Sequence, residues 1–431
     1  MLEQIKTKIQ AIFANQALKK KLIFTLVIFA ITRLLAYIPV PVVDVERLKL
    51  IFSSNEFLSF LNVFAGGTLA RFSIVAVGIN PYITASIVMQ LLGMVIPKIK
   101  EMQKEGEAGQ AKLNQYMRFI AVPVAAIQAV ATLALLNSQN LLVSTQTSMM
   151  AMVVLTLVAG SMLMMWFGEL ISEYGIGNGT SMILLVGIVS QIPSSIGQSL
   201  LTGGENQLVT VLVTLALILA VTALVVFFNE AVRKVNIQYA KRIQGGRQVG
   251  GQSSHLPIKI NVAGVMPIIF AVSLMMVPSF LGRVLPLTGK EFLINLGEKL
   301  TVAFAPTSIW YLITNFVLVF VFSYFSAIIF FNAEDISEEL KKSGAFIPGI
   351  RPGGPTRKYL EFVVTRITLA GAIFLASIAV LPTVAQMITN IQSLAIGGTS
   401  LLIVVSVILE TAKQIDSQLL SENYDHYSKL N

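Results

Sequence analysis

Ten long runs of apolar residues follow one another along the chain, with shorter polar segments between them. A helix needs roughly 20 residues to cross the hydrocarbon of a membrane, and the runs come close to that length. Continuous runs favour helices, because a membrane β-barrel shows alternating segments of about ten residues. The predicted spans are about 22–38, 74–96, 116–137, 150–168, 180–196, 208–229, 261–279, 308–331, 363–385 and 395–412.

The composition indicates that lipid solvates most of this chain. It is 55% hydrophobic and 12% charged, whereas soluble domains carry roughly 25% charged residues. So few charges cannot cover a water-exposed surface, and the useful structural unit is therefore the membrane span.

Lysine and arginine collect in alternate connections between the spans. With the N-terminus inside, 24 of the 31 basic residues fall on the cytoplasmic side, as the positive-inside rule requires. The fifth span is short and has Pro193 near its end, but removing it would place the basic loop 230–260 outside. Ten spans with both termini cytoplasmic are therefore predicted.

Ten spans divide into two predicted halves, residues 1–200 with spans 1–5 and residues 201–431 with spans 6–10. The second half also holds the cytoplasmic loops 230–260 and 332–362 and the C-terminal tail. Because five is odd, related halves would be inverted relative to each other, and inverted repeats hold their working pathway at their interface. No residue-level similarity between the halves is evident.

The sequence lacks the residues that several kinds of chemistry require. There is no cysteine, no phosphate-binding G-x-x-x-x-G-K-[ST] and no H-E-x-x-H zinc motif. His255 and His426 fall in polar segments, where solvated surface histidines are expected. No charge sits in the middle of a predicted span, which argues against ion-coupled transport but leaves a uniporter open. We expect neither an enzyme nor a cofactor.

One stretch, "NVFAGGTLARFSIVAVGINPYITAS" at residues 62–86, interrupts the apolar pattern around the second span. Residues 62–72 are too short to span a membrane, and irregular backbone at membrane depth is tolerated only inside protein or against a cavity. A re-entrant segment is therefore predicted. Pro81 lacks an N–H and is expected to loosen the helix around it.

The two long cytoplasmic loops combine glycine and proline turns with lysine and arginine. Positive-inside bias explains this charge, and so does docking of an anionic partner such as RNA or an acidic protein face. The turn "GIRPGG" places Arg351 at the tip of a rigid loop. The acidic run at residues 334–339 is expected to lie on a solvated helix.

Five segments, in order and over nearly the whole chain, resemble the signature segments of the SecY family, the central subunit of the bacterial Sec protein-conducting channel. They are "NVFAGGTLARFSIVAVGINPYITASIVMQLL", "GIGNGTSMILLVGIV", "HLPIKINVAGVMPIIFA", "SGAFIPGIRPGGPTRKYL" and "IGGTSLLIVV". The resemblance implies a fold and a set of functional residues, which are given next as expectations.

The first implied element is a short half-helix at residues 62–72 that enters from outside and plugs a central pore. Its implied residues are Asn62, Phe64, Gly66, Gly67, Leu69 and Arg71. Adjacent glycines weaken a helix and let backbones approach closely, and the arginine can stay near the water outside. An ordinary re-entrant loop with no moving role is the alternative.

The second implied element is a constriction lined by aliphatic side chains. The residues that match this ring are Ile79, Ile83, Leu184, Ile269 and Ile403. Without the resemblance, each would be interpreted as ordinary helix packing. A ring of branched side chains would deform around an extended polypeptide and resist wetting and ion leakage. Thr180, one turn before the leucine, is expected to bring a polar group near the ring.

The third implied element is a lateral gate that opens toward lipid between spans 2–3 and 7–8. Asn80, Gln90, Gln128 and Asn315 are the polar residues on those spans. Interhelical hydrogen bonds of about 0.6–2 kcal/mol each can latch a gate without locking it. Plain structural glue between helices is the alternative.

The implied partners are SecE, SecG, the SecA motor ATPase, the ribosome, the preprotein with its signal sequence, and membrane lipids. SecA or the ribosome would dock through Arg351 and through Lys241, Arg242 and Arg247, with ribosomal RNA as the only nucleic acid. Gly246 departs from the family, in which a second basic residue is common beside the arginine here.

The sequence therefore predicts an all-α polytopic membrane protein with ten transmembrane helices in two inverted halves around an hourglass pore, with a plug half-helix. The implied function is translocation of unfolded preproteins and lateral release of membrane segments, driven by partner motors in a bacterial inner membrane. An inverted-repeat uniporter would instead show polar groups converging at the midplane. A scaffold without conduction leaves residues 62–72 unexplained.

Overall fold

Helices make up most of this computed structural model. It describes residues 10, 12, 14–54, 58–59, 61–62, 65–139, 141–142, 146–191, 193, 207–239, 242–244, 247–249, 253–262, 264–305, 308–389 and 392–429. The helices of the first predicted half are α1 (Gln16–Ala36), α2 (Val45–Ser54), α3 (Asn80–Val95), α4 (Pro97–Lys104), α5 (Glu107–Ser138), α6 (Thr147–Tyr174) and α7 (Gly179–Val189). Those of the second are α8 (Gln207–Glu230), α9 (Met266–Val284), α10 (Glu291–Ala303), α11 (Ile309–Phe330), α12 (Ala333–Lys342), α13 (Gly354–Thr389) and α14 (Gln392–Lys429).

Each of the ten predicted spans coincides with one of these helices, and α12 carries the acidic run as expected. Within the described residues, five helices are long and apolar enough by themselves to cross a membrane. A sixth span results if α3 and α4, which meet at a bend of 109°, are counted together. The predominantly helical membrane fold is confirmed, and the count of ten crossings stays a prediction consistent with it.

The second span begins later than predicted, at Asn80 rather than at residue 74. Residues 65–79, called the turn segment below, form turns, and Gly78 has a φ of +63°, which a right-handed helix does not accommodate. Pro81 lies in the first turn of α3, where its missing N–H is not needed. The expectation that this proline loosens the helix is wrong, because it starts the helix.

The predicted plug half-helix at residues 62–72 is a turn over most of its described part. Helical residues are described at 58–59 and 61–62, and turns follow from residue 65. Gly66 and Gly67 have φ values of +69° and +80°, and the N–H of Gly67 donates to the Asn62 carbonyl at 2.8 Å. A hydrogen bond of this kind, made by glycines with positive φ, is typical of the C-terminal end of a helix. Phe64 lies outside the described residues.

The predicted cytoplasmic loops contain strands, which the all-α prediction did not include. β1 (Val232–Tyr239) pairs antiparallel with β4 (Ser253–Lys259) and also with β5 (Ala345–Phe346), which belongs to the other loop. β2 (Arg242–Gln244) and β3 (Arg247–Val249) form a separate hairpin. The two loops are thus joined in one three-stranded sheet.

This sheet packs against α12 and the start of α13 over a small hydrophobic core of its own. The buried residues of that core are Val235, Ile237, Ile258, Ala333, Leu340, Ala345, Ile347, Leu360 and Val364. We call β1, β4, β5, α12 and the start of α13 the sheet platform. Because it has both a core and a ladder of backbone hydrogen bonds, the platform is a folded unit and not a pair of loose loops.

Helices of the two predicted halves contact each other at two places. α9 contacts α3 and α5, and α14 contacts α7. The largest hydrophobic core runs through these helices and contains residues of both halves. A second core lies around the turn segment, between α2, α5 and α6. The boundary between the halves is therefore filled by side chains.

The approach of α6 to the turn segment provides a test of this packing. A Cβ on Gly160 would lie 1.9 Å from the carbonyl oxygen of Ile74, and overpacking of this kind costs about 1–3 kcal/mol. We expect Gly160→Ala to lower the apparent melting temperature of the purified protein in detergent. In the control Gly354→Ala, the added Cβ meets nothing within 4 Å and should change little. Equal melting of Gly160→Ala and the parent protein would contradict the contact.

Candidate functional site

All five residues of the predicted ring lie in the large buried core shared by the two predicted halves. Ile79, Ile83, Leu184, Ile269 and Ile403 each expose between 0% and 5% of their surface, and all belong to the largest hydrophobic core. They come from the end of the turn segment and from α3, α7, α9 and α14, the elements that meet between the halves. Their side chains present branched aliphatic surface, which can seal or deform but holds no ligand by polar bonds.

α7 packs directly against α6 at a pair of glycines, and a side-chain cap fixes the start of α7. A Cβ on Gly179 would lie 1.7 Å from the carbonyl oxygen of Gly168, so the two backbones touch. The Asn178 side chain caps α7 by accepting the N–H of Ser181 at 3.3 Å. The Thr180 hydroxyl donates to the same Asn178 oxygen. Its polar group is therefore engaged at the start of the helix.

The start of the turn segment is organised by Asn62. Its side-chain oxygen accepts the N–H of Ala70 at 2.9 Å, in addition to the bond between its carbonyl and Gly67. The Thr68 hydroxyl donates to the Ala65 carbonyl at 2.6 Å. Leu69 is half-buried and packs against the second core. The predicted requirement for internally satisfied, irregular backbone is met here.

The middle of the turn segment is bonded to the chain that follows α1. The N–H of Val40 donates to the Phe72 carbonyl at 2.9 Å. The guanidinium of Arg71 lies 3.8 Å from the ring centre of Tyr37, which is a cation–π contact. Toward its end, the segment accepts a hydrogen bond from Ser161 of α6 on the carbonyl of Gly78, at 2.8 Å. The chain after α1 and helix α6 thus both hold it.

Arg33 was not predicted to take part in this site. Its Nη1 donates to the Gly66 carbonyl at 3.1 Å and to the Ser190 hydroxyl at 2.7 Å, which joins α1 to the turn segment and to the end of α7. The one signal in the sequence is that Arg33 is the only charged residue within the first apolar run.

The four predicted polar residues of the gate do not bond to one another. Asn80 and Gln90 lie on α3, Gln128 lies on α5 and Asn315 lies on α11. Asn315 is 1% exposed, and its side-chain oxygen has no hydrogen-bond partner. No hydrogen bond joins any two of the four described side chains, so the predicted latch between helices stays a prediction.

Arg351 is exposed on a turn whose backbone is fixed. Its carbonyl accepts the Thr356 hydroxyl at 2.9 Å, and Gly349 and Gly353 have φ values of +82° and +98°. Only glycine adopts such angles readily, so the tight turn depends on both glycines. The predicted placement of this arginine at a rigid tip agrees with the structure, and the turn follows directly after β5.

The other predicted docking residues lie on the hairpin of the neighbouring loop. Arg242 is opposite Val249, and Arg247 is opposite Gln244 in the register of β2 and β3. Lys241 lies outside the described residues. No group of three His, Asp or Glu side chains that could hold a metal ion occurs in the described part of the chain.

Comparisons with known proteins agree with this geometry. The profile of the SecY family matches residues 73–412. The protein translocase subunit SecY of Mycobacterium tuberculosis (strain ATCC 25618 / H37Rv) is 40% identical over 431 residues, which cover 96% of this chain and 97% of that relative.

Two solved structures share the fold. A structure concerned with the plug domain of SecY and the closed translocation channel has a TM-score of 0.68 at 18% identity, covering 94% of this chain and 93% of that one. Sec61 in a canine ribosome–channel complex has a TM-score of 0.62 at 16% identity, with the same coverage. By sequence and by fold, the chain belongs to the SecY family of protein translocase subunits.

Proposed function

We propose that the chain conducts unfolded preproteins through the ring and releases membrane segments sideways into lipid. The observation that carries this proposal is that five aliphatic side chains, from the turn segment and from helices of both predicted halves, are all buried in the core that the halves share. In the conformation described, side chains of the two halves fill this core.

The ring residues Ile79, Ile83, Leu184, Ile269 and Ile403 act as a gasket. Aliphatic side chains have no polar atom to hold a passing chain, so many different sequences can cross. They also repel water, which keeps the constriction dry when it is empty. A small-solute uniporter would need polar groups converging at its site, and family membership does not support that alternative.

Residues 62–72 act as the plug: Asn62 lies just before the turn segment, and Gly66, Gly67, Leu69 and Arg71 lie in its first part. The turn segment ends at Ile79, so movement of the plug would be passed along it to a ring residue. Phe64 belongs to the same assignment on the basis of the resemblance alone.

The lateral gate would open between the pair α3 and α5 and the pair α9 and α11; the contacts of α9 with α3 and α5 support this position. An apolar signal sequence can separate these helices because it offers its own apolar surface in exchange. Asn80, Gln90, Gln128 and Asn315 are the polar residues on these helices, and interhelical hydrogen bonds from them would latch the gate without locking it.

The sheet platform docks the partners that supply energy, namely the SecA motor ATPase or the ribosome, through Arg351 and through Lys241, Arg242 and Arg247. The relative in the canine ribosome–channel complex supports ribosome docking. SecE and SecG complete the complex. The chain itself is not an enzyme, and it works in a bacterial inner membrane with both termini cytoplasmic and the platform facing the cytoplasm.

A cross-link tests the path through the ring. The chain has no cysteine, so Ile269→Cys introduces a single thiol. We expect an oxidative cross-link between this thiol and a cysteine in a stalled secretory polypeptide, because the polypeptide touches the ring. Leu274→Cys is the control on the same helix, where the side chain is 39% exposed. Efficient linking at Leu274→Cys with none at Ile269→Cys would contradict the proposal.

The buried amide of Asn315 provides a second test. An unsatisfied buried polar group costs about 1–3 kcal/mol, so Asn315→Leu is expected to raise the apparent melting temperature of the closed protein. Ser279→Ala is the opposing control, because Ser279 is also buried but donates to the carbonyls of Met275 and Phe304. Lower melting of Asn315→Leu would mean that the amide has a partner in the closed state.

Charge reversal tests docking at the loop tip. Arg351→Glu places like charges against an anionic partner, and we expect translocation driven by SecA or by the ribosome to fall about tenfold or more. Lys341→Glu makes the same change at an exposed position of α12 in the same platform and is expected to have a much smaller effect. Equal losses from both variants would show that overall charge, and not the tip, matters.

A further inference from the structure

Arg33 is part of a closed circuit of contacts between three elements. Its Nη1 donates to the Gly66 carbonyl and to the Ser190 hydroxyl. The Ser190 hydroxyl donates in turn to the carbonyl of Gly187 at 2.7 Å. A Cβ on Gly66 would lie 2.7 Å from the Cα of Gly187, so these two backbones touch and complete the circuit.

Two helix ends lie next to Arg33. Arg33 lies in the last turn of α1, and Ser190 is the residue that caps the C-terminal end of α7. Two helix C-termini, whose carbonyls carry partial negative charge, therefore meet at one guanidinium. In the described part of the chain Arg33 forms no ion pair, and its Nε is buried without a partner. Its described hydrogen bonds go to a backbone carbonyl and a hydroxyl.

Opening of the channel would affect the two hydrogen bonds of Arg33 differently. The bond to Gly66 breaks when the turn segment leaves, whereas the bond to Ser190 joins α1 to α7 and survives. The cation therefore keeps one partner after release, and water entering from outside can replace the other. A contact of this kind holds the segment in the closed state without making its release prohibitive.

Strain within the turn segment acts in the opposite direction. Phe72 is 1% exposed and has a φ of +44°. For a residue other than glycine this conformation costs on the order of 1–3 kcal/mol, and packing has to maintain it. Some contact from outside the segment is needed to hold such a backbone in place.

We propose that Arg33 is the residue that positions the turn segment in the closed channel, clamping it to α7 through the Gly66 carbonyl. The proposal rests on the assignment of residues 62–72 as the plug. Loss of the clamp releases the segment while the helices around it remain folded. Release is thus a local event, distinct from unfolding.

Accessibility of a buried position in the turn segment tests the clamp. Ala76 is fully buried, and Ala76→Cys in the full chain, within the assembled membrane complex, gives one thiol for a membrane-impermeant maleimide added from outside. Loss of a charge-assisted hydrogen bond is expected to raise the labelling rate of Ala76→Cys about tenfold in Arg33→Gln. An unchanged rate in Arg33→Gln would overturn the proposal.

Two controls separate release of the segment from general unfolding. Arg118→Gln also removes an arginine, one whose partner is Glu169 at 2.8 Å and not the turn segment, and it should leave labelling of Ala76→Cys unchanged. A reporter at Ala379→Cys, buried in α13, should stay unlabelled in Arg33→Gln. Labelling of both reporters would mean unfolding and would overturn the clamp.

The result also separates the clamp from the proposed function. If Arg33→Gln fails to accumulate, Arg33→Met removes every donor but keeps an unbranched side chain, and labelling equal to the parent in that variant would overturn the clamp. If polypeptide crosses at Ile269 but the segment is not released in Arg33→Gln, only the clamp fails. If the segment is released but no polypeptide reaches the ring, the proposed pathway fails.

Discussion

The hydrogen bonds of the turn segment have to be made inside the protein, because hydrocarbon offers its backbone no other partner. This constraint accounts for features far apart in the sequence. Asn62 bonds the start of the segment through its carbonyl and its side chain, and Ser161 of α6 bonds the Gly78 carbonyl near its end. Gly160 and Gly187 lack side chains where helices touch the segment. The ring residue Ile79 then follows immediately.

Apolar length predicted a helix at each span, because lipid sets a minimum length that few other folds share. The predicted helix boundaries were wrong where backbone conformation, and not hydropathy, determines where a helix begins or ends. Gly78 and Pro81 set the start of α3, although the apolar run begins several residues earlier. Likewise, α13 and α14 continue into polar sequence that an apolar criterion excludes.

The features that the sequence did not reveal depend on contacts between distant residues. Tyr239 pairs with Ala345, but β5 has only two residues and carries no alternating pattern. The ring is a related case, since an isoleucine inside an apolar helix looks like any packing residue, and only the resemblance singled out the five. Arg33 stands out in the sequence as a lone charge. The sequence does not reveal its acceptors, which are a backbone carbonyl and a serine hydroxyl on two other elements.

The two ends of the pathway need different mechanical properties. The docking role proposed for the sheet platform requires a fixed shape, and the platform has a core and a strand ladder that provide one. Its exposed ion pairs, such as Arg357 with Glu334 at 3.0 Å, add little stability.

A segment that closes a channel must be able to leave it again. Shifting an equilibrium between closed and open states from 1:99 to 99:1 takes about 5.5 kcal/mol. A few hydrogen bonds of about 1 kcal/mol each, opposed by strain at Phe72, keep the turn segment within that range. If the turn segment carries the plug proposed above, loss of those few contacts can therefore open the channel while the platform stays intact.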